Sequence, residues 1–127
     1  MNLQKKHLAA YYPYKVQCTA GGFVGVLDTI NSRTTKIRVS CSDYWESSHK
    51  YKMILRPMKD IYTFEFKPKY GQNKVTFSDI MPIEYLATLE CGQWIEIPFE
   101  WIEKLFKYHF DLFGLIKAGL AVDKNSL

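Results

Sequence analysis

The alternation of apolar and polar positions dominates the first half of the chain, and a three-to-four-residue spacing dominates the end. Residues 36–41 alternate cleanly, with Ile37, Val39 and Cys41 on one face and Lys36, Arg38 and Ser40 on the other, which predicts a half-buried strand. Residues 14–19 alternate more weakly and run into Ala20-Gly21-Gly22, a turn signal. Residues 23–30 return with Phe23, Gly25, Leu27 and Thr29 on one side and Val24, Val26 and Asp28 on the other, so the two runs predict a β-hairpin. Tyr51, Met53 and Leu55 alternate with Lys52, Ile54 and Arg56 in a fourth strand that Pro57 closes. Residues 61–66 are rich in β-formers and predict a fifth, and residues 75–77 a short edge strand.

Helices are expected at both ends. Residues 2–11 place Leu3, His7, Leu8 and Tyr11 on one side and must stop before Pro13. Ser78 or Asp79 is placed to cap a helix with Pro82 in its first turn and residues 83–89 as its body, ended by Gly92. The strongest element begins at Pro98. There Ile102, Leu105, Phe106, His109, Phe110 and Phe113 form one stripe, with Glu103, Lys104, Lys107 and Asp111 opposite and Gly114 as the left-handed stop. Burying the five apolar members of that stripe is worth roughly 1.5–3 kcal/mol each. Beyond it, residues 115–123 read as a helical turn and an extended end folding back on the core, and residues 124–127 as a frayed tail. The pattern gives an α+β fold. A mainly antiparallel sheet of about four to five strands packs against C-terminal helices in a single domain, residues 1–127.

Charge adds an asymmetry. Residues 1–77 carry thirteen Lys/Arg and five Asp/Glu, and residues 78–127 carry four and eight. Either the surface has two faces of opposite sign, or the two segments interleave and neutralise one another. The net charge of +4 argues against nucleic-acid mimicry as the main device.

Site chemistry is sparse. Cys18, Cys41 and Cys91 are odd in number and widely spaced, and no apolar run follows Lys5 and Lys6 to make a signal segment, so the thiols are expected reduced in a cytoplasm. No nucleophile–base pair beyond Cys41 and His49 suggests itself, no metal-ligand spacing is present, and the glycine pair lacks the Lys-Ser/Thr of a phosphate loop. The expectation is a non-enzyme without catalytic residues, metal or cofactor. What remains is a basic segment interleaved with aromatics. Tyr44, Trp45, Lys50, Lys52, Arg56, Lys59, Lys67, Lys69, Tyr70 and Lys74 offer charge for phosphate and rings for stacking or interface anchoring. Outward-pointing strand lysines would give the same list without any ligand.

Three stretches carry a resemblance: Leu8-Ala9-Ala10-Tyr11-Tyr12-Pro13-Tyr14, Ile54-Leu55-Arg56-Pro57-Met58-Lys59-Asp60, and His109-Phe110-Asp111-Leu112-Phe113-Gly114-Leu115-Ile116 with Gly119-Leu120-Ala121-Val122-Asp123. Together they resemble a group of small uncharacterised proteins encoded in phages and prophages of Bacteroidetes; Tyr12 and Lys59 depart from that pattern. The resemblance implies a protein of the bacterial host cytoplasm that acts by binding. Its partner would be a host protein or nucleoprotein complex, with RNA or DNA contact, as in an anti-CRISPR-like inhibitor. The alternatives are a direct nucleic-acid binder of phage replication or regulation, and a structural virion component. No membrane association is expected.

Overall fold

The computed structural model describes residues 4–20, 23–30, 36–39, 46–47, 51–68, 71, 73–94 and 96–126. The fold is α+β with a mainly antiparallel main sheet. The chain gathers into two compact units, Met1–Pro57 with Leu105–Leu127, and Met58–Lys104.

The first unit opens with helix α1 (Lys5–Tyr11), which buries His7, Leu8 and Tyr11, three of the four residues assigned to its inner face; Leu3 lies outside the described residues. A 3-10 turn (Tyr12–Tyr14) takes Pro13 and ends at Lys15, which is left-handed at φ 55°. Strands β1 (Gln17–Ala20) and β2 (Phe23–Ile30) pair antiparallel from Gln17 opposite Val26 to Ala20 opposite Phe23, as the hairpin reading requires. Leu27 and Gly25 face in while Val24 and Asp28 face out, so the period-two reading gave the correct faces. Strand β3 (Lys36–Val39) pairs with β2 across a register shift between Leu27 and Thr29, and the short β4 (Glu46–Ser47) lies beyond it. Strand β5 (Lys52–Leu55) flanks β1, and β8 (Ala121–Asp123) adds parallel to β5, giving the order β4-β3-β2-β1-β5-β8. Met53, Ile54 and Leu55 are all buried, so β5 is covered on both faces, as a continuous apolar run allows. The extended end thus folds back as a sheet strand. The expected frayed tail is instead a 3-10 turn (Lys124–Ser126), held where Asp123 accepts the Asn125 amide and the Ser126 hydroxyl.

In the second unit, the strand expected over residues 61–66 is interrupted at its start: Ile61 and Tyr62 end a 3-10 helix (Met58–Tyr62). The Asp60 carbonyl accepts from the amides of Thr63 and Phe64, and that turn consumes the β-formers before pairing can start. Only β6 (Glu65–Phe66) remains, pairing antiparallel with β7 (Val75–Thr76). Phe77 does not extend β7. It starts helix α2 (Phe77–Ile80), capped by Thr76, whose amide donates to Asp79 at 2.9 Å. The single helix expected after Ser78 is therefore two, with α3 (Ile83–Glu90) starting after Pro82. Gly92, at φ 75°, ends α3: its amide donates to Leu89 and that of Gln93 to Thr88. Phe66 and Phe77 meet with ring centroids 4.6 Å apart in this unit's core.

Helix α4 (Phe99–Lys107) ends well before the predicted stop at Gly114. The amide of Phe110 donates to the Leu105 carbonyl and that of His109 to Phe106, the same closing pattern as at Gly92, with His109 in the left-handed position at φ 65°. The signal was hidden because a histidine stands where glycine usually does. Directly after it Phe110 makes a parallel bridge to Arg56, and turns follow. Asp111, placed by helical spacing on the solvent face, is 7% exposed for that reason.

Candidate functional site: a buried polar latch and exposed lysines

Residues from three distant stretches, Tyr11, Tyr14, Arg56 and His109–Ile116, form one cluster in the first unit. Tyr11 of α1 is fully buried between Phe106, at 5.0 Å edge to face, and Phe113, at 6.3 Å. Its hydroxyl donates to the Phe110 carbonyl and accepts from the Leu112 amide at 3.3 Å. Burial, reinforced by the charge of Asp111, pushes its phenol far above the ordinary range.

Arg56, just past β5, is locked through its backbone: its amide donates to His109 at 2.7 Å and its carbonyl accepts from Asp111 at 2.9 Å. Its guanidinium lies over the Phe110 ring, 5.9 Å from the centroid. Asp111 turns its carboxylate inward, where Oδ1 accepts from the Leu115 amide at 2.8 Å and Oδ2 from Ile116 at 2.9 Å. Those two bonds start the turn that leads to β8.

Each described imidazole has a structural bond. Nδ1 of His7 accepts from the Gln4 amide at 3.0 Å, which fixes the neutral Nε2–H tautomer, and the ring stands edge-on to Phe113 at 4.7 Å. Burial lowers its pKa, Lys6 adds to that, and Asp111 pulls the other way. Nε2 of His109 lies 2.7 Å from the Tyr14 carbonyl, which can only accept, so Nε2 carries the proton. Burial again lowers its pKa, opposed by that bond and aided by Lys124 and Arg56. Lys124 is itself lowered by burial and by Arg56. The cluster ties the first, middle and last parts of the chain together.

Of the residues assigned to a basic and aromatic face, Lys52 is exposed on β5 and Arg56 half-buried, both in the first unit. Lys59, Lys67 and Lys74 are exposed in the second. Tyr44, Trp45, Lys50, Lys69 and Tyr70, with Cys41 and His49, lie outside the described residues. Cys18 is buried, with its thiol pushed up to about 12, and Cys91 is exposed. Among the described residues no group of three His, Cys, Asp or Glu could hold a metal ion, and no helix is long and apolar enough to cross a membrane.

Sequence reasoning also missed a cavity in the second unit of about 320 Å³ lined by Met58, Lys59, Ile61, Tyr62, Leu86, Leu89 and Glu90. It could not be read in advance because one of its walls is the 3-10 helix where a strand was expected.

The fold and the latch define an α+β protein. No protein-family model matches the chain, and no curated protein or solved structure is significantly similar to it.

Proposed function

We propose that this chain is a non-enzymatic interaction protein whose basic unit engages an acidic or phosphate-bearing surface of a protein or nucleoprotein partner. The carrying observation is the division of charge. The first unit holds twelve Lys/Arg against five Asp/Glu, a balance of +7, and the second holds five against eight, a balance of −3. The two units differ in sign, although the boundary is not the one at residue 77: Lys59, Lys67, Lys69 and Lys74 fall in the second unit among its eight acids. Lys15, Lys52, Lys107 and Lys117 of the first unit are exposed, as a polyanion-facing surface needs. In the second unit Ile83 is 80% and Phe99 74% exposed, two large apolar side chains of the kind that anchor a protein partner. The engaged state of His7, Tyr11, His109 and Asp111 supports a binder over a catalyst. The resemblance to phage and prophage proteins supplies a setting, inhibition of a host defence nucleoprotein in the anti-CRISPR manner.

The second reading, direct binding of RNA or DNA, draws on the same +7. Affinity capture from host lysate with and without nuclease separates the two. A defined complex retained after nuclease supports the nucleoprotein reading, while loss of all captured material moves the assignment to direct nucleic-acid binding. Lys52→Glu with Lys107→Glu should weaken capture and leave the melting temperature nearly unchanged, because both side chains are exposed. Undiminished capture by the double variant sinks the basic-surface assignment.

A further inference from the structure

The cavity of the second unit has a composition that selects a ligand. Its inner lining is aliphatic: Ile61, Leu86 and Leu89 are 4%, 8% and 8% exposed. Two exposed charges of opposite sign, Lys59 and Glu90, also line it, together with Met58 and Tyr62. The Tyr62 hydroxyl donates to the Glu90 carboxylate, so Glu90 is held in place and the phenol oxygen is left as an acceptor beside it. Glu90 is also the last residue of α3, where the helix dipole adds to its preference for a cation. An apolar floor, an acceptor pair for an ammonium group and a lysine for a carboxylate are the three contacts of one chemical class. The volume falls at the small end of ligand sites.

We propose that this cavity binds a free α-amino acid with a large apolar side chain. The side chain enters between Ile61, Leu86 and Leu89, the ammonium meets Glu90 and Tyr62, and the carboxylate meets Lys59. The proposal does not rest on the partner assignment above. It concerns only the second unit, and its failure leaves the charge argument for the first unit untouched.

The test is a titration of the methyl-labelled full chain with L-phenylalanine, followed by NMR. Shifts of the Ile61, Leu86 and Leu89 methyls that saturate are expected. Phenethylamine, which lacks the carboxylate, and 3-phenylpropionate, which lacks the ammonium, should each bind about tenfold more weakly, the loss of one charged contact worth about 1.4 kcal/mol. Lys59→Gln should abolish the advantage over phenethylamine, and Glu90→Gln the advantage over 3-phenylpropionate. Both side chains are exposed, so the variants should fold as the parent does. Absence of shifts at those methyls overturns the proposal. So does equal binding of neutral phenylacetamide, which would make the cavity a plain apolar crevice.

Discussion

The imidazole of His109 donates through Nε2 to the backbone carbonyl of Tyr14, 2.7 Å away and 95 residues earlier in the chain. One residue thereby closes helix α4 through its left-handed backbone and pins, through its side chain, the turn that follows α1. Two costs oppose each other there. A residue with a Cβ gives up roughly 1–2 kcal/mol in that conformation, and the bond to Tyr14 offsets part of it.

His109→Ala keeps the backbone cost and loses the bond, so it should destabilise the chain by about 1–3 kcal/mol. His109→Gly loses the same bond but relieves the backbone, and should be the milder change by about 1 kcal/mol. Gly92, which closes α3 in the same way with open space around it, supplies the converse, since Gly92→Ala should cost about 1 kcal/mol from backbone conformation alone. Urea midpoints of the three variants test the ordering. A glycine variant less stable than the alanine one would refute the argument.

Tyr11→Phe removes a hydroxyl that both donates to Phe110 and accepts from Leu112. The aromatic packing is retained, so the expected loss is about 1–2 kcal/mol, with no change of fold by circular dichroism. The raised phenol pKa also gives a sign. Its contribution is fully present below the unfolded value of about 10 and is lost as pH rises above it. The urea midpoint should therefore fall less steeply above about pH 10 in the Phe variant than in the parent; equal slopes would remove Tyr11 from the alkaline transition.

The lowered pKa values of His7 and His109 act at the acid side. The folded state holds both rings neutral while the unfolded chain takes up protons near pH 6.5, so stability is full above about 6.5 and falls as pH drops towards the lowered folded values. Burial leads the shift at both rings; the Tyr14 bond opposes it and Lys124 and Arg56 add to it at His109, while Lys6 adds to it and Asp111 opposes it at His7. The urea midpoint should be lower at pH 5 than at pH 7.5, and His7→Gln with His109→Gln should flatten that dependence. An unchanged slope in the double variant would remove the histidines from the account.

Thiol labelling separates two cysteines. Cys91 is exposed and should react promptly with a disulfide reagent at neutral pH, whereas Cys18, fully buried with its thiol pushed up to about 12, should react only on unfolding. Peptide mapping of the labelled chain gives the readout, and rapid native labelling of Cys18 would contradict the packing of β1.

The local pattern determined the elements whose signal is contained within themselves. The alternation at residues 23–30 determined which residues of β2 share a side, and the common side of α1 followed from the spacing of His7, Leu8 and Tyr11, because the backbone period fixes which side chains face together. Gly92 was legible as a helix stop because glycine advertises the left-handed position. Tertiary structure decided what depended on partners distant in sequence. Helical spacing continued through residues 108–113, but the backbone of Arg56 took Phe110 into a parallel bridge, and the carboxylate expected in solvent became the buried acceptor for Leu115 and Ile116. The β-formers after Asp60 turned into a 3-10 helix, and with it came a cavity no periodicity foretold. The charge imbalance was readable from composition. How it divides between the two compact units was decided by tertiary structure: residues 58–77 belong to the second unit and residues 105–127 return to the first, a consequence of where the apolar surface could be buried and not of any local preference.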